Sequence, residues 1–245
     1  MPDHDSLTIE GRPYGAGSGG AHAERIYANE GNPPLIELLG GDCGRILDVG
    51  CGAGDNARVI RRKFAHLEIH GITHSQAEAG LAAPYLASCR VFDIEGDLPP
   101  DFAGMSFDVL IFSHVLEHLR DPALVLRRFS RLLRQHGAVL IAVPNTLSWA
   151  TRWRFLRGDF EYTQDGVLDD THLRFFTYFT ADKYLLSKTP GLRLTSKTVS
   201  GNVPLWLLRR YVLPGNWSAS LDELGCRLWP NLFGSQVLIR AVLDG

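Results

Sequence analysis

The stretch from Arg45 to Phe64 constrains the fold more than any other. A short apolar run, Arg45–Val49 (RILDV), ends in Gly50-Cys51-Gly52-Ala53-Gly54, and Asp55–Phe64 then shows helical spacing. This reads as strand, glycine turn, helix, with the helix N-terminus aimed back over the strand's carboxyl end. The same rhythm continues. Leu67–Thr73 reads as a second strand, followed by a helix over Ser75–Ala83 opened by a serine cap. Arg90–Phe92 reads as a third strand and Phe107–Ser113 (FDVLIFS) as a fully apolar fourth. Asp121-Pro122 then opens a helix through Leu133, with Asp as N-cap and Pro in the first helical position. Ala138–Val143 is a fifth strand, stopped by Pro144-Asn145. Short apolar strands alternating with amphipathic helices specify an α/β fold, a parallel sheet with helices on both faces.

The last third breaks the rhythm. Thr180–Leu186 reads as a helix, Leu192–Val199 as a strand and Gln236–Leu243 as a closing strand. Two inserts separate them from the rest, an aromatic, arginine-rich segment near 149–178 and a tryptophan-containing one near 204–233. Residues 1–20, rich in Gly, Ser and Asp, are expected to form a flexible N-terminal segment, with a single domain over 21–245. Helical spacing over Ala21–Leu39 is interrupted at Asn32-Pro33-Pro34.

Composition narrows the partners. A formal charge of −2, with 25 Lys+Arg against 27 Asp+Glu and no long basic run, argues against a nucleic-acid partner. No apolar run approaches the roughly 20 residues of a membrane-spanning helix. The aromatic and basic residues of the 204–233 insert leave room for peripheral membrane contact or a homodimer contact, an ordinary packing face being the commoner explanation. The chain start lacks a secretory signal pattern and the four cysteines form no CxxC pair, so a cytoplasmic chain with reduced thiols and no structural zinc is expected.

The glycine spacing is GxGxG rather than the GxGxxG of dinucleotide folds, and Asp48 precedes it. A carboxylate facing such a turn offers an acceptor to an ammonium group. With these residues in view, LDVGCGAG at 47–54 resembles the first motif of the class I S-adenosylmethionine-dependent methyltransferases. The resemblance extends over nearly the whole chain by element order. It implies a Rossmann-like seven-stranded mixed sheet, order 3-2-1-4-5-7-6, whose last strand is antiparallel and whose two inserts cap the substrate. It also implies S-adenosyl-L-methionine as cofactor, lined by Gly50, Cys51, Gly52 and Gly54, with Asp48 near its amino-acid end. That family usually ends its second strand with an acid for the ribose hydroxyls. Here Gly71-Ile72-Thr73-His74-Ser75 has none, leaving Thr73 and His74 to contact the cofactor. Asp93 matches the position that accepts from the adenine amino group, beside Ile94, with a turn cap as its structural alternative.

SHVLEHLRDP at 113–122 is similar to a segment of the quinone and small-molecule branch, where it follows the cofactor's methionyl part, so Ser113 and His114 join the cofactor set. His118 lies where Glu117 can orient one ring nitrogen while the other takes a proton. GDFEYTQDGVLDDTHLRFFT at 158–177 resembles the MetW-type branch and methyltransferase domains found near bacterial glycan and natural-product pathways, so the chain as a whole is similar to the MetW/UbiG-like small-molecule branch. This segment is too polar for core and too aromatic for a solvated loop, and is expected to wall a substrate pocket. His172 is the second candidate base, its alternative being to tie the insert to the sheet. Asn145, Arg152, Tyr162, Arg174, Phe175 and Phe176 are the candidate substrate contacts. No metal-ligand spacing stands out, so metal independence is expected.

The expected activity is transfer of a methyl group to a hydroxyl, or less favourably an amine, of a small molecule, glycan or quinone-like precursor. Two alternatives stay open: attack on another carbon of the sulfonium, releasing methylthioadenosine, and a non-catalytic cofactor-binding subunit that regulates a partner.

Overall fold

A computed structural model describes residues 29–40, 43–102, 104–204 and 215–244. The N-terminal segment 1–20, the helical spacing before Asn29 and residues 205–214 of the second insert lie outside the described residues. One turn of helix, α1 (Pro33–Ile36), precedes the sheet. There follow β1 (Arg45–Val49), α2 (Asp55–Lys63), β2 (Glu68–Thr73), α3 (Gln76–Ala82), β3 (Ser88–Val91), β4 (Phe107–Ser113), α4 (Pro122–Ser130) and β5 (Leu133–Pro144). The remainder is α5 (Trp149–Leu156), α6 (Ala181–Leu186), β6 (Leu192–Gly201), α7 (Gly215–Leu228), α8 (Pro230–Phe233) and β7 (Gly234–Leu243). The sheet order is β3-β2-β1-β4-β5-β7-β6, and only β7 runs antiparallel to its neighbours β5 and β6. Both the fold class and the strand order agree with the sequence-based expectation.

Period-two alternation divides the apolar residues between two cores. In β1, Leu47 and Val49 face one core and Ile46 the other. Leu110 and Phe112 of β4 are set against Val109 and Ile111, and Val139, Ile141 and Val143 of β5 against Ala138, Leu140 and Ala142. The first core is closed by α4 and α6 through Val125, Leu126, Phe129, Ala181 and Leu185, the second by α1 and α2 through Leu35, Ile36, Ala57 and Ile60. Each large side chain so buried stabilises the fold by about 1.5–3 kcal/mol.

The caps follow their chemistry. The Ser75 hydroxyl accepts from the Glu78 backbone N–H at 3.1 Å and Asp121 from that of Leu124 at 3.1 Å, with Pro122 first in α4. Element limits differ from the sequence reading, notably in β3, α4 and β5. β3 starts at Ser88 and ends at Val91, because Ser88–Val91 pairs with His70–Thr73. α4 ends at Ser130 rather than Leu133, and β5 begins at Leu133, which pairs with Phe107 across a register shift. No helix among the described residues is long and apolar enough to cross a membrane.

Candidate active site

The strand carboxyl ends meet along one edge of the sheet, and the turn after β1 lies at its centre. Gly50 and Cys51 both donate their backbone N–H to Ile72 O at 2.8 Å, fastening the turn to β2. Gly50, Gly52 and Gly54 all have positive φ. A Cβ on Gly50 would lie 2.4 Å from Val115 Cγ2, and one on Gly54 would lie 2.9 Å from Ala82 Cα. Close packing against the turn after β4 and against α3 therefore requires these two glycines, besides any approach by a ligand. The Cys51 side chain is buried with its Sγ 3.8 Å from that of Cys89, so only its backbone faces the turn's outer side.

Asp48 is fully buried at the end of β1, and neither carboxylate oxygen has a hydrogen-bond partner. Burial pushes its pKa up to about 7, opposed by the nearby Asn56 amide and assisted by the Asp55 charge. Two orphaned acceptors in a desolvated place are what an incoming cation would satisfy.

Near the end of β2 lies a carboxylate that the strand-end residues themselves do not contain. Glu78, one turn into α3, is buried, and its Oε2 accepts from the Thr73 hydroxyl at 2.5 Å. That bond commits the Thr73 donor within the protein, and its oxygen also accepts from Ser75 N–H at 3.3 Å. His74 is exposed beside it. The Thr-x-Ser-x-x-Glu spacing, with a serine cap placing Glu78 over the strand end, is the signal that could have found this residue. Asp93 lies two residues beyond β3, where its Oδ1 accepts from Glu95 N–H at 2.9 Å. It therefore does act as a turn cap, while Ile94 packs half-buried on the first core.

The turn after β4 carries the titratable cluster. Ser113 Oγ accepts from Asn32 Nδ2 at 3.4 Å. His114, in the left-handed region at φ 55°, has both ring nitrogens engaged, Nδ1 with Glu117 Oε1 at 3.2 Å and Nε2 with Gln236 Oε1 at 2.9 Å. Burial pulls its pKa down, but the Glu117 hydrogen bond and charge, with Gln236, outweigh that and leave it raised. With its ring tied to Glu117 and Gln236, His114 braces the turn instead of offering a free nitrogen to the cofactor.

Glu117 and His118 sit on a single 3-10 turn, Leu116–His118, and His172 comes from the first insert. The two imidazoles meet edge to face with centroids 4.7 Å apart. Burial holds the His118 pKa below the usual histidine value; the Glu117 and Asp169 charges oppose this and the neighbouring His172 reinforces it. His118 Nδ1 bonds Thr171 Oγ1 at 2.9 Å, and His172 Nδ1 bonds Val167 O at 3.1 Å. The insert is held here by its main chain, since Leu173 and Arg174 N–H both donate to Glu117 O at 2.9 Å.

Two expected substrate contacts are overturned. Asn145 is fully buried: its Nδ2 donates to Asn231 O at 3.2 Å and Gly234 O at 2.8 Å, and its Oδ1 accepts from Leu147 N–H at 3.3 Å. It locks the end of β5 to the α8–β7 junction and has no polar atom left for a ligand. Phe176 forms a bridge with Asn145 and points into the first core, 6.0 Å from the Tyr184 ring. The remaining candidates are exposed. Phe175 lies 6.5 Å from the His172 ring, Tyr162 stands edge-on to Phe160, and Arg174 donates to Arg120 O. Arg152 donates to Leu147 O at 2.7 Å and lines an apolar groove with Trp149, Trp153, Leu156 and Leu232.

Comparison with known proteins agrees with this geometry. Residues 23–185 match the family described as "Methyltransferase domain". The chain is 32% identical over 123 residues to a ubiquinone biosynthesis O-methyltransferase of Neisseria meningitidis serogroup A, covering 46% of this chain and 51% of that protein. It is 34% identical over 108 residues to a demethylmenaquinone methyltransferase of Thermotoga maritima, covering 42% and 45%. The chain thus matches about half the length of these curated relatives. In three dimensions it is similar to a SAM-dependent methyltransferase from Archaeoglobus fulgidus, with a TM-score of 0.57, 20% identity, and 85% of this chain and 90% of that one covered.

Proposed function

Because the chain belongs to the methyltransferase-domain family and is a class I S-adenosylmethionine-dependent methyltransferase, we propose that its acceptor is a hydroxyl group on a small molecule of the quinone-precursor kind. The observation that carries this reading is the Glu117–His118–His172 cluster, buried at Glu117 and His172 and half-buried at His118, on the turn whose Val115 packs against Gly50, where a hydroxyl can lose its proton. One relative is named a ubiquinone biosynthesis O-methyltransferase and another a demethylmenaquinone methyltransferase, which supports a quinone-like acceptor.

The residues present fit the cofactor. The unpaired oxygens of Asp48 would accept from an ammonium group, the Gly50–Gly54 turn would receive the ligand against its backbone, and Glu78 would serve the ribose hydroxyls with Thr73. When bound, S-adenosylmethionine supplies an electrophilic methyl carbon carried on a sulfonium. The protein's part is to hold the acceptor oxygen in line and to strip its proton. His118 and His172 each have Nδ1 engaged, which leaves Nε2 as the atom that faces that task. Exposed Phe175 and Tyr162, with Arg152 and Arg174, would form the wall against which a flat acceptor rests.

The test is incubation with S-adenosylmethionine and a panel of catechols and hydroquinones, with chromatography of the nucleoside product. S-adenosylhomocysteine formed only with hydroxylated rings is the expected result. His118→Ala and His172→Ala are each expected to lower kcat by about 10²–10⁴-fold with cofactor affinity kept. Release of methylthioadenosine, or full turnover by both variants, would overturn the assignment.

A further inference from the structure

Cys51 belongs to the glycine turn after β1 and Cys89 to β3, yet their sulfurs lie 3.8 Å apart. The sheet register explains how they meet. Asp48 pairs with Gly71 of β2, and Gly71 pairs with Cys89, so Gly71 lies between the end of β1 and the Cys89 thiol. A Cβ on Gly71 would lie 2.7 Å from Cys51 Sγ and 2.5 Å from Leu86 Cδ1. A glycine inside a strand marks a close approach. Here the Cys51 side chain makes it, reaching across β2 to its partner. Both residues are free thiols, Cys51 buried and Cys89 half-buried. Neither thiol takes part in the methyl transfer proposed above.

The two sulfurs differ in a way that suits stepwise oxidation. Hydrogen bonding from Cys51 holds the Cys89 thiol below its ordinary pKa, against burial and the charges of Asp48 and Glu78. The same bond, burial and the neighbouring charges push the Cys51 thiol up. Cys89 is thus the partner that forms a thiolate within reach of solvent, and Cys51 the enclosed, protonated one. We propose that Cys51 and Cys89 are a reversible modification site, closed to a disulfide by a peroxide, and that closure weakens S-adenosylmethionine binding at the glycine turn. The Cys89 thiolate attacks a peroxide oxygen. An S–O bond forms as the O–O bond breaks, and the hydroxide that leaves takes up the proton Cys89 released. The Cys51 sulfur then attacks Cys89 Sγ, the S–S bond forms as the S–O bond breaks, and the departing hydroxide carries off the Cys51 proton as water. Two thiols together lose two electrons, and one hydrogen peroxide becomes two waters.

Closure brings the sulfurs from 3.8 Å to about 2.05 Å. Part of that pull falls on the turn. Cys51 N–H is fixed to Ile72 O at 2.8 Å and Gly50 is wedged against Val115, so residues 50–54 cannot follow as a unit and their backbone deforms where the ligand would rest. The Asp48 and Glu78 charges both reach the two thiols, which places the pair beside the carboxylates assigned to the ammonium group and the ribose. The effect is independent of which acceptor is methylated.

The experiment uses the full chain, reduced, then treated with stoichiometric hydrogen peroxide and quenched by alkylation. Expected are the loss of two free thiols and two hydrogen masses, peptide mapping that joins Cys51 to Cys89, and complete reversal by dithiothreitol. Calorimetry should show S-adenosylhomocysteine binding weakened about 5–150-fold in the oxidised protein and restored on reduction. By linkage, saturating S-adenosylhomocysteine should shift the thiol–disulfide equilibrium in a glutathione buffer toward the thiols by the same factor. Cys89→Ser should keep the reduced protein's affinity after peroxide treatment, which separates the disulfide from any other oxidation. Oxidation that joins other cysteines, or that stops at Cys89 as a sulfinic acid, would overturn the proposal. So would a Cys51–Cys89 disulfide with unchanged cofactor affinity, or weakened binding that persists in Cys89→Ser.

Discussion

Replacing Asp48 by asparagine isolates the electrostatic strain at the end of β1. The folded carboxyl has a pKa of about 7 against 3.8 when unperturbed, and burial is the main cause. At about 1.36 kcal/mol per pH unit, keeping it ionised in the folded apoprotein costs about 4 kcal/mol. The folded state holds the proton more tightly than the unfolded chain. Its advantage is therefore complete below about pH 4 and is lost as pH rises through 7. Between about pH 5.5 and 8.5 the loss amounts to roughly 2 kcal/mol. Asp48→Asn, nearly isosteric and uncharged, lacks this dependence. Urea unfolding of both proteins across that window should show wild type falling relative to the variant by about 2 kcal/mol. Other titrating groups cancel in the difference, and the variant's constant offset does not affect the slope. Parallel profiles would refute the argument, because Asp48 would then be ionised without cost.

Cofactor binding should couple to the same proton. A cation entering beside Asp48 favours the carboxylate, so calorimetry near pH 7 should show proton release on binding and an affinity that tightens as pH rises, both absent in Asp48→Asn. Gly50→Ala should lower stability by about 1–2 kcal/mol from its positive φ alone, with a further loss from the contact with Val115, read as a lower Tm. Asn145→Ala should cost about 2–4 kcal/mol in denaturant unfolding, because it strands the Asn231 and Gly234 carbonyls. A changed KM at unaltered stability would instead return Asn145 to the substrate site. Phe176→Ala should destabilise by about 3–5 kcal/mol as a core cavity, with the same refuting outcome.

The sheet was legible because its signals are local. RILDV, FDVLIFS and the caps at Ser75 and Asp121 carry period and termination in adjacent residues, and the structure keeps them. Strand limits were less so, since β3 and the early start of β5 at Leu133 are decided by pairing partners far along the chain. Side-chain direction just after β5 and in the insert was not legible at all. Asn145 and Phe176 have the composition of a binding wall, yet the bridge between them turns one into a lock and the other into core. Glu78 escaped notice for the same reason, its carboxylate reaching back from α3 to a strand end five residues earlier. The Glu117–His118–His172 grouping has no spacing signature, because His172 lies 54 positions after His118 and only the folded insert joins them.

The two N–H groups of Leu173 and Arg174 that share the Glu117 carbonyl make a latch from peptide atoms alone. Peptide atoms are the same whatever side chains they carry, so the exposed faces of residues 173–175 can be rewritten without unfastening the insert from the turn that holds Glu117 and His118. On the proposed function, point changes at this rim would retune which molecules are accepted while Glu117 and His118 stay in register. For an engineer, Leu173, Arg174 and Phe175 are accordingly the positions to randomise first when a new acceptor is wanted.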